Sequence, residues 1–386
     1  MIYLDNCATT KPRQEVVEEV VKMLKNDFAN PSSLHSFGLK AEKVREEARK
    51  NLAQLINVLP SEIYFTSGGT ESNNIAVNGF VNKNKRFKKI ITSKIEHASL
   101  YDKFLSYRDL GYEVVFLNVD FDGKVDFNEL KREVDGNTAL VALAHVNNEI
   151  GTIQDIKELV KIVKEKNPET FVHVDGVQAL GKIKLDLKDL GVDSYSVSSH
   201  KIYGPKGSGA LYLKSGISIP SLVIGGGQEK NLRSGTENMP GLAGFGKACQ
   251  IETEKFNEEQ DHVKKIKAYF LENLKNYIDD YKINSPLCSS PYIVSLSIRG
   301  TRGEVILHSL EEYEIYISTA SACSSNGVHR SHVLEAIKLN PSEMEGTIRI
   351  CFSKDISKND LDVFLEKLNQ VVKDIREVMK KWVKEL

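Results

Sequence analysis

Apolar positions in the N-terminal part of the chain recur at helical spacing. After a short β-type start at Ile2, Tyr3 and Leu4, Pro12 can open a helix at its first turn. Val16, Val17, Val20, Val21 and Leu24 then fall on one stripe, with glutamates and lysines opposite. Asn30-Pro31-Ser32-Ser33 breaks that helix, and a second is expected over 35–57, with its stripe at Leu39, Val44, Ala48, Leu52 and Leu55. From 63 to 213 the pattern changes to short, β-branched runs at 63–66, 89–93, 113–118, 139–145, 170–175, 194–199 and 209–213, with helical stretches between them. That alternation predicts a mainly parallel sheet covered on both faces. Gly225-Gly226-Gly227 punctuates a loop, and a polar-faced helix over about 240–281 leads toward a second unit with strands at 292–298, 315–318 and 347–352. A charged helix closes the chain.

Composition narrows the partners. Lys+Arg 52 against Asp+Glu 53 offers no overall attraction to nucleic acid or an anionic membrane. The start, Met1-Ile2-Tyr3-Leu4-Asp5-Asn6, has no basic and apolar leader pattern, and no apolar run reaches the roughly 18 residues of a membrane span. A soluble, cytoplasmic protein is expected. Five cysteines, an odd number without a Cys-x-x-Cys pair, argue against a disulfide framework or a structural zinc, so no metal is expected. Cys7, Cys249, Cys288 and Cys351 lie in apolar or regular segments and read as buried free thiols.

The candidate chemistry centres on Ser198-Ser199-His200-Lys201-Ile202-Tyr203-Gly204-Pro205. A strand runs into Lys201 and a glycine–proline turn follows it. A lysine held at such a strand end can be desolvated, which lowers its pKa and leaves an amine able to form a Schiff base. Upstream, the apolar strand Phe171-Val172-His173-Val174 delivers Asp175 to the edge of the sheet where open α/β folds bind ligands. Ser67-Gly68-Gly69-Thr70 stands between a strand and a helix, where free amides can take a phosphate, although an ordinary N-cap turn would look the same. It is neither a Walker loop nor a dinucleotide fingerprint. A lysine for an aldehyde, a carboxylate for a pyridine nitrogen and a phosphate loop together suit pyridoxal phosphate.

These segments, taken with Tyr3–Thr10, Asn30–Ser33, Thr66–Asn73, Glu96-His97, His145–Thr152, Val174–Gln178, Gly225–Glu229, Arg233–Asn238 and Ser321–Ser324, resemble the cysteine desulfurases of the class V aminotransferase group. The resemblance implies a fold-type I pyridoxal-phosphate transferase: a large domain with a mainly parallel seven-stranded sheet over 14–256, and a smaller α/β domain from 1–13 and 257–386. It also implies site roles. Lys201 would carry the cofactor; Gly69, Thr70, Ser198 and His200 would hold its phosphate, with Thr236 donated across a homodimer interface. Asp175 would face the ring nitrogen, Gln178 the ring hydroxyl, and His97 would stack on the ring and move protons. Asn147 and Arg349 would hold the substrate carboxylate, and Arg233 would line the entrance. Cys7 stands where alanine is usual, and Ser353 where glycine is expected.

Cys323 lies in Ala320–Gly327, small and polar and close to His329 and Arg330, a composition that suits an exposed loop and a thiol of lowered pKa. The implied reaction takes sulfur from L-cysteine, leaving L-alanine and a persulfide on Cys323 for an acceptor protein such as an iron–sulfur scaffold. An aminotransferase, a β-lyase or a selenocysteine lyase would share Lys201, Asp175 and the phosphate loop; against the first two, Cys323 is the discriminating residue. A non-catalytic sulfur-transfer scaffold is a further alternative, against which the intact Lys201, Asp175 and His97 count.

Overall fold

The computed structural model describes residues 1–319 and 331–385. The seven expected strands form one sheet in the order Ile63–Thr66, Gly209–Leu213, Ser194–Ser198, Phe171–Asp175, Thr138–Ala144, Lys89–Ser93 and Glu113–Leu117. The last five run parallel to one another. Gly209–Leu213 is antiparallel to both its neighbours, because the connector 199–208 is too short for a helical crossover. Helices cover both faces, so Ile90, Ile91, Leu140, Val141, Val172, Val174, Tyr195 and Val197 are buried without alternation.

The first helix, Gln14–Lys25, has the expected period but a different inward face. Val16 and Met23 are buried, whereas Val17, Val21 and Leu24 are 41%, 39% and 61% exposed. In the second, Ser36–Leu55, Ala41, Ala48 and Leu52 face the core and Leu39 faces out. Arg49 is also buried there, its guanidinium bonded to Glu229 at 2.8 Å from two nitrogens, which offsets the cost of burying the charge.

The helix Met239–Tyr277 packs on both N-terminal helices and on the final helix, Lys358–Glu385. Beyond it, Ser318–Thr319, Thr347–Cys351, Ile293–Ile298 and Tyr281–Ile283 form a four-stranded antiparallel sheet. The final helix buries Leu361, Phe364, Leu365 and Leu368 against the rest of the chain. Each such side chain contributes about 1.5–3 kcal/mol before entropy is charged.

The cysteine reading needs correction. Cys7 and Cys351 form a disulfide across 344 positions of sequence, with Cα atoms 5.7 Å apart. The cause is tertiary: Asp5 bridges Cys351 in parallel, Cys351 N donates to Leu4 O at 2.7 Å, and Asn6 Nδ2 donates to Cys351 O at 2.9 Å. Cysteine counting has no access to that adjacency. Cys249 is buried and free as expected, whereas Cys288 is exposed.

Candidate active site

The carboxyl ends of the central strands converge. Ser198 and Thr66 both pair with Gly209, and Asp175 pairs with Ser196, so Thr66, Asp175 and Ser198 end their strands at one edge. Close packing there requires glycine: a Cβ on Gly209 would lie 2.6 Å from Gly68 Cα, and one on Gly69 would lie 2.4 Å from Val177 Cγ2. Gly69 and Thr70 open the helix Gly69–Lys83, whose free amides face this edge with the partial positive charge of a helix N-terminus.

Lys201 ends a single 3-10 turn after the strand Ser194–Ser198. Its Nζ donates to the carbonyls of Cys7 and, at 2.9 Å, Ala8. Burial first, then the positive charge of Arg349, pulls its pKa down to about 8. Neighbouring His200 meets Thr9 Oγ1 at 3.2 Å, and burial together with Lys201 lowers its pKa to about 4, so its ring is neutral at pH 7.

Asp175 is held from two sides. Asn73 Nδ2 donates to Oδ2 at 2.8 Å and Val177 N donates to Oδ1 at 3.0 Å. Asn73 is itself pinned: His173 Nε2 lies 3.0 Å from its Oδ1, and burial drives the His173 pKa down to about 3. Asn73 Nδ2 also reaches Ser99 Oγ at 2.8 Å, and Ser99 Oγ lies 2.9 Å from His97 Nδ1. His97, exposed at the N-cap of the helix Ala98–Asp109, is thereby linked to Asp175 through two side chains.

Arg349 lies on the strand Thr347–Cys351 of the smaller sheet, beside this edge. Its Nη1 donates to Asn148 O at 3.1 Å and its Nη2 to Asp5 Oδ1 at 2.9 Å. Its Nε is buried and has no hydrogen-bond partner among the described residues. Asn147 donates to Ile95 O at 2.7 Å and accepts from the amides of Glu149 and Ile150 at 2.9 Å. Gln178 Nε2 donates to Cys7 O at 2.9 Å.

One expected member stands apart and another lies where nothing is described. Thr236 is exposed in the loop before the helix Met239–Tyr277 and has no hydrogen bond to the other site residues among the described residues. Cys323 lies outside the described residues. Arg233 pairs with Glu71 at 3.0 Å, beside the N-terminus of the helix that carries Thr70.

Sequence reasoning assigned no role to several residues that shape the site. Asn73 sits one turn into the helix that begins at the phosphate-type loop. Asp5 neutralises part of Arg349. Glu96, buried beside Ser93 and the amide of Ala144, has its pKa raised to about 8 by burial and then by Asp175, and is therefore protonated at pH 7. Lys182 donates to Gln178 Oε1 at 2.7 Å. For Asn73 and Lys182 the sequence signal was a polar residue closely following a site residue, Thr70 and Gln178 respectively; Asp5 and Glu96 had no such signal.

The arrangement suits pyridoxal phosphate on its own geometry. It offers an amine of depressed pKa, a fixed buried carboxylate on the next strand, a helix N-terminus between them, and an arginine with an unused buried N–H. The aminotransferase class V family model matches residues 2–364. The cysteine desulfurase IscS of Dictyoglomus turgidum is 40% identical over 379 residues, 98% of this chain and 96% of that protein. A solved NifS-like protein superposes with a TM-score of 0.91 at 38% identity, covering 96% of this chain and 99% of that one. SspA, solved in complex with cysteine, gives 0.81 at 30% identity over 92% of this chain and 99% of its own. The chain belongs to the class V aminotransferase family, among the cysteine desulfurases.

Proposed function

We propose that this protein is a pyridoxal-phosphate-dependent cysteine desulfurase that converts L-cysteine to L-alanine and carries the sulfur as a persulfide on Cys323. The observation that carries the reading is the placement of Lys201 at a strand end, its Nζ on the Cys7 and Ala8 carbonyls, at the edge shared with buried Asp175 and faced by Arg349. When bound, the cofactor supplies an aldehyde and an electron-withdrawing ring. Lys201 would hold that aldehyde, and its Nζ, of lowered pKa, would serve as the base for the substrate α-proton. Asp175, fixed by Asn73 and Val177 N, favours a proton on the ring nitrogen. The helix N-terminus at Gly69 and Thr70, with Ser198 and neutral His200, takes the phosphate.

Arg349 offers the substrate carboxylate its unpaired Nε, with Asn147 shaping the adjoining loop. His97 moves protons near the substrate sulfur, and the Cys323 thiolate takes that sulfur. Dimerisation belongs to the same reading. Exposed Val17, Val21, Leu24 and Phe28 form an apolar face of the kind a second copy covers, and exposed Thr236 would reach the partner's phosphate. We assign 14–256 to the large domain and 1–13 with 257–386 to the small one, place the enzyme in the cytoplasm, and name an iron–sulfur scaffold as the class of acceptor.

The test is a visible absorption spectrum before and after adding L-cysteine, with alanine assayed. A band that responds to L-cysteine with stoichiometric alanine is expected. Colourless protein, or pyruvate in place of alanine, overturns the reading.

A further inference from the structure

Lys182 has no part in the chemistry above, yet it is only 4% exposed and lies directly behind Gln178. Its Nζ donates to Gln178 Oε1 at 2.7 Å. Gln178 Nε2 in turn donates to the Cys7 carbonyl at 2.9 Å, the same carbonyl that accepts from Lys201 Nζ. In its protonated form, the one present below its pKa of about 7, Lys182 has donors and no acceptor, so it can face only the oxygen of the amide. Turning the amide over would set N–H against N–H on the Lys182 side and C=O against C=O on the Cys7 side. Lys182 therefore removes one of the two orientations an isolated glutamine amide would share.

The charge is as specific as the orientation. Among the described residues Lys182 has no carboxylate within ion-pair distance. Glu252 is the nearest acidic influence, and Arg13 Nη2 already holds it at 2.5 Å. The Tyr292 ring lies 5.9 Å from Nζ, and Gln260 Nε2 bonds only the Lys182 carbonyl. Lys201 and Arg349 face it from the site side. Burial, then those two cations, lowers its pKa to about 7. A buried lysine without a counter-ion is costly to keep, and its one side-chain hydrogen bond among the described residues is to a residue of the site.

We propose that Lys182 is a positioning residue that holds the Gln178 amide with its N–H toward the Cys7–Lys201 side and sets a positive charge behind it, tuning the proton affinity of the group that Gln178 contacts. The proposal rests on the assignment of Gln178 to the cofactor ring hydroxyl. A cation in this place disfavours protonation of its neighbours. Removing it should therefore raise the pH at which the visible band of the bound cofactor titrates.

The experiment is a spectrophotometric pH titration of purified, coloured wild type, Lys182→Met, Gln178→Leu and the double variant. Lys182→Met is expected to stay coloured and to move the midpoint up by about one pH unit. Its kcat for alanine should fall about tenfold while KM for L-cysteine stays within about twofold. In the Gln178→Leu background the charge still acts through space and only the part carried by the amide is lost, so the same substitution should move the midpoint by a measurably smaller amount. An unmoved midpoint in Lys182→Met, or an undiminished shift in the Gln178→Leu background, overturns the proposal. Should Lys182→Met fail to fold, Lys182→Gln removes the charge and retains a donor, and an unmoved midpoint there overturns it equally. Colourless wild type would instead overturn the proposed function, which separates the two failures.

Discussion

Lysines are buried at both edges of the seven-stranded sheet, and the two edges treat them in opposite ways. At the edge where strands begin, Lys89 opens the strand Lys89–Ser93 with Glu133 at 2.9 Å, Glu113 at 3.2 Å and Asp135 at 3.4 Å from its Nζ. Burial would pull its pKa down, but hydrogen bonds to Glu133 and Glu113 and the charge of Asp135 outweigh burial and raise it. At the edge where strands end, Lys201 and Lys182 meet carbonyls and an amide, with Arg349 as a common neighbour, and both are depressed, to about 8 and about 7. Depth in the fold is common to both edges; direct pairing with carboxylates separates them, since Asp5 and Asp175 act on Lys201 only at a distance and Asp5 is engaged by Arg349. A lysine with three acids is a permanent cation that fastens strand starts together. A lysine without them can lose its proton near neutral pH, which is what an amine nucleophile or base requires.

The contrast is broken most completely by Lys201→Ala. Alanine formation should fall by about 10³-fold or more, and borohydride reduction should leave no pyridoxyl group on the chain. Wild-type protein treated in the same way should carry the adduct on Lys201; an adduct on Lys206 would reassign the role.

Next in size is the Cys7–Cys351 disulfide, which anchors the carbonyl that Lys201 bonds. Reducing it, or substituting Cys7→Ser with Cys351→Ser, should cost about 3 kcal/mol in urea unfolding. A non-reducing peptide map should show the cross-link, and unaltered stability on reduction would remove it from the account of this edge.

The pH response distinguishes the edges by sign. Lys182 and Lys201 have folded pKa values below the unfolded value of about 10.4, so the unfolded chain binds more protons between those values. Stability of the cofactor-free protein should therefore rise from pH 7 toward pH 10, by up to about 1.4 kcal/mol per unit for each lysine. Lys182→Met should flatten that rise. Lys89, with a raised folded pKa, contributes stability fully present below about 10.4 and lost only as pH climbs through its higher folded value. Equal slopes in wild type and Lys182→Met would contradict the unpaired state of Lys182.

The smallest effect is expected from Lys89→Met. Its carboxylate partners keep contact with water, so unfolding should become easier by only about 1 kcal/mol. The kcat for alanine should change by less than about twofold, since the residue lies at the far edge from the site. A large loss of kcat with normal stability would show that the two edges are not independent.

The period of apolar residues was enough to read the strands and their mainly parallel arrangement, though not their order in the sheet, because a sheet covered on both faces demands continuous apolar runs and helical crossovers need length. It also put Asp175, Ser198 and Lys201 at strand ends, since each follows such a run directly. Which way a helix turns its stripe was not legible: Val17, Val21 and Leu24 have the right spacing, yet Met23 took the core position, because the neighbouring helix Met239–Tyr277 decides which side is covered. The Cys7–Cys351 bond, the Asn73 clamp on Asp175 and the Lys182–Gln178 contact were equally invisible as geometry. Local pattern determines which elements form, because helix and strand periods are set within a few residues. Proton affinities and cross-links are set by atoms within a few ångströms, and only the folded chain brings positions 5, 7, 182, 201, 349 and 351 to one place.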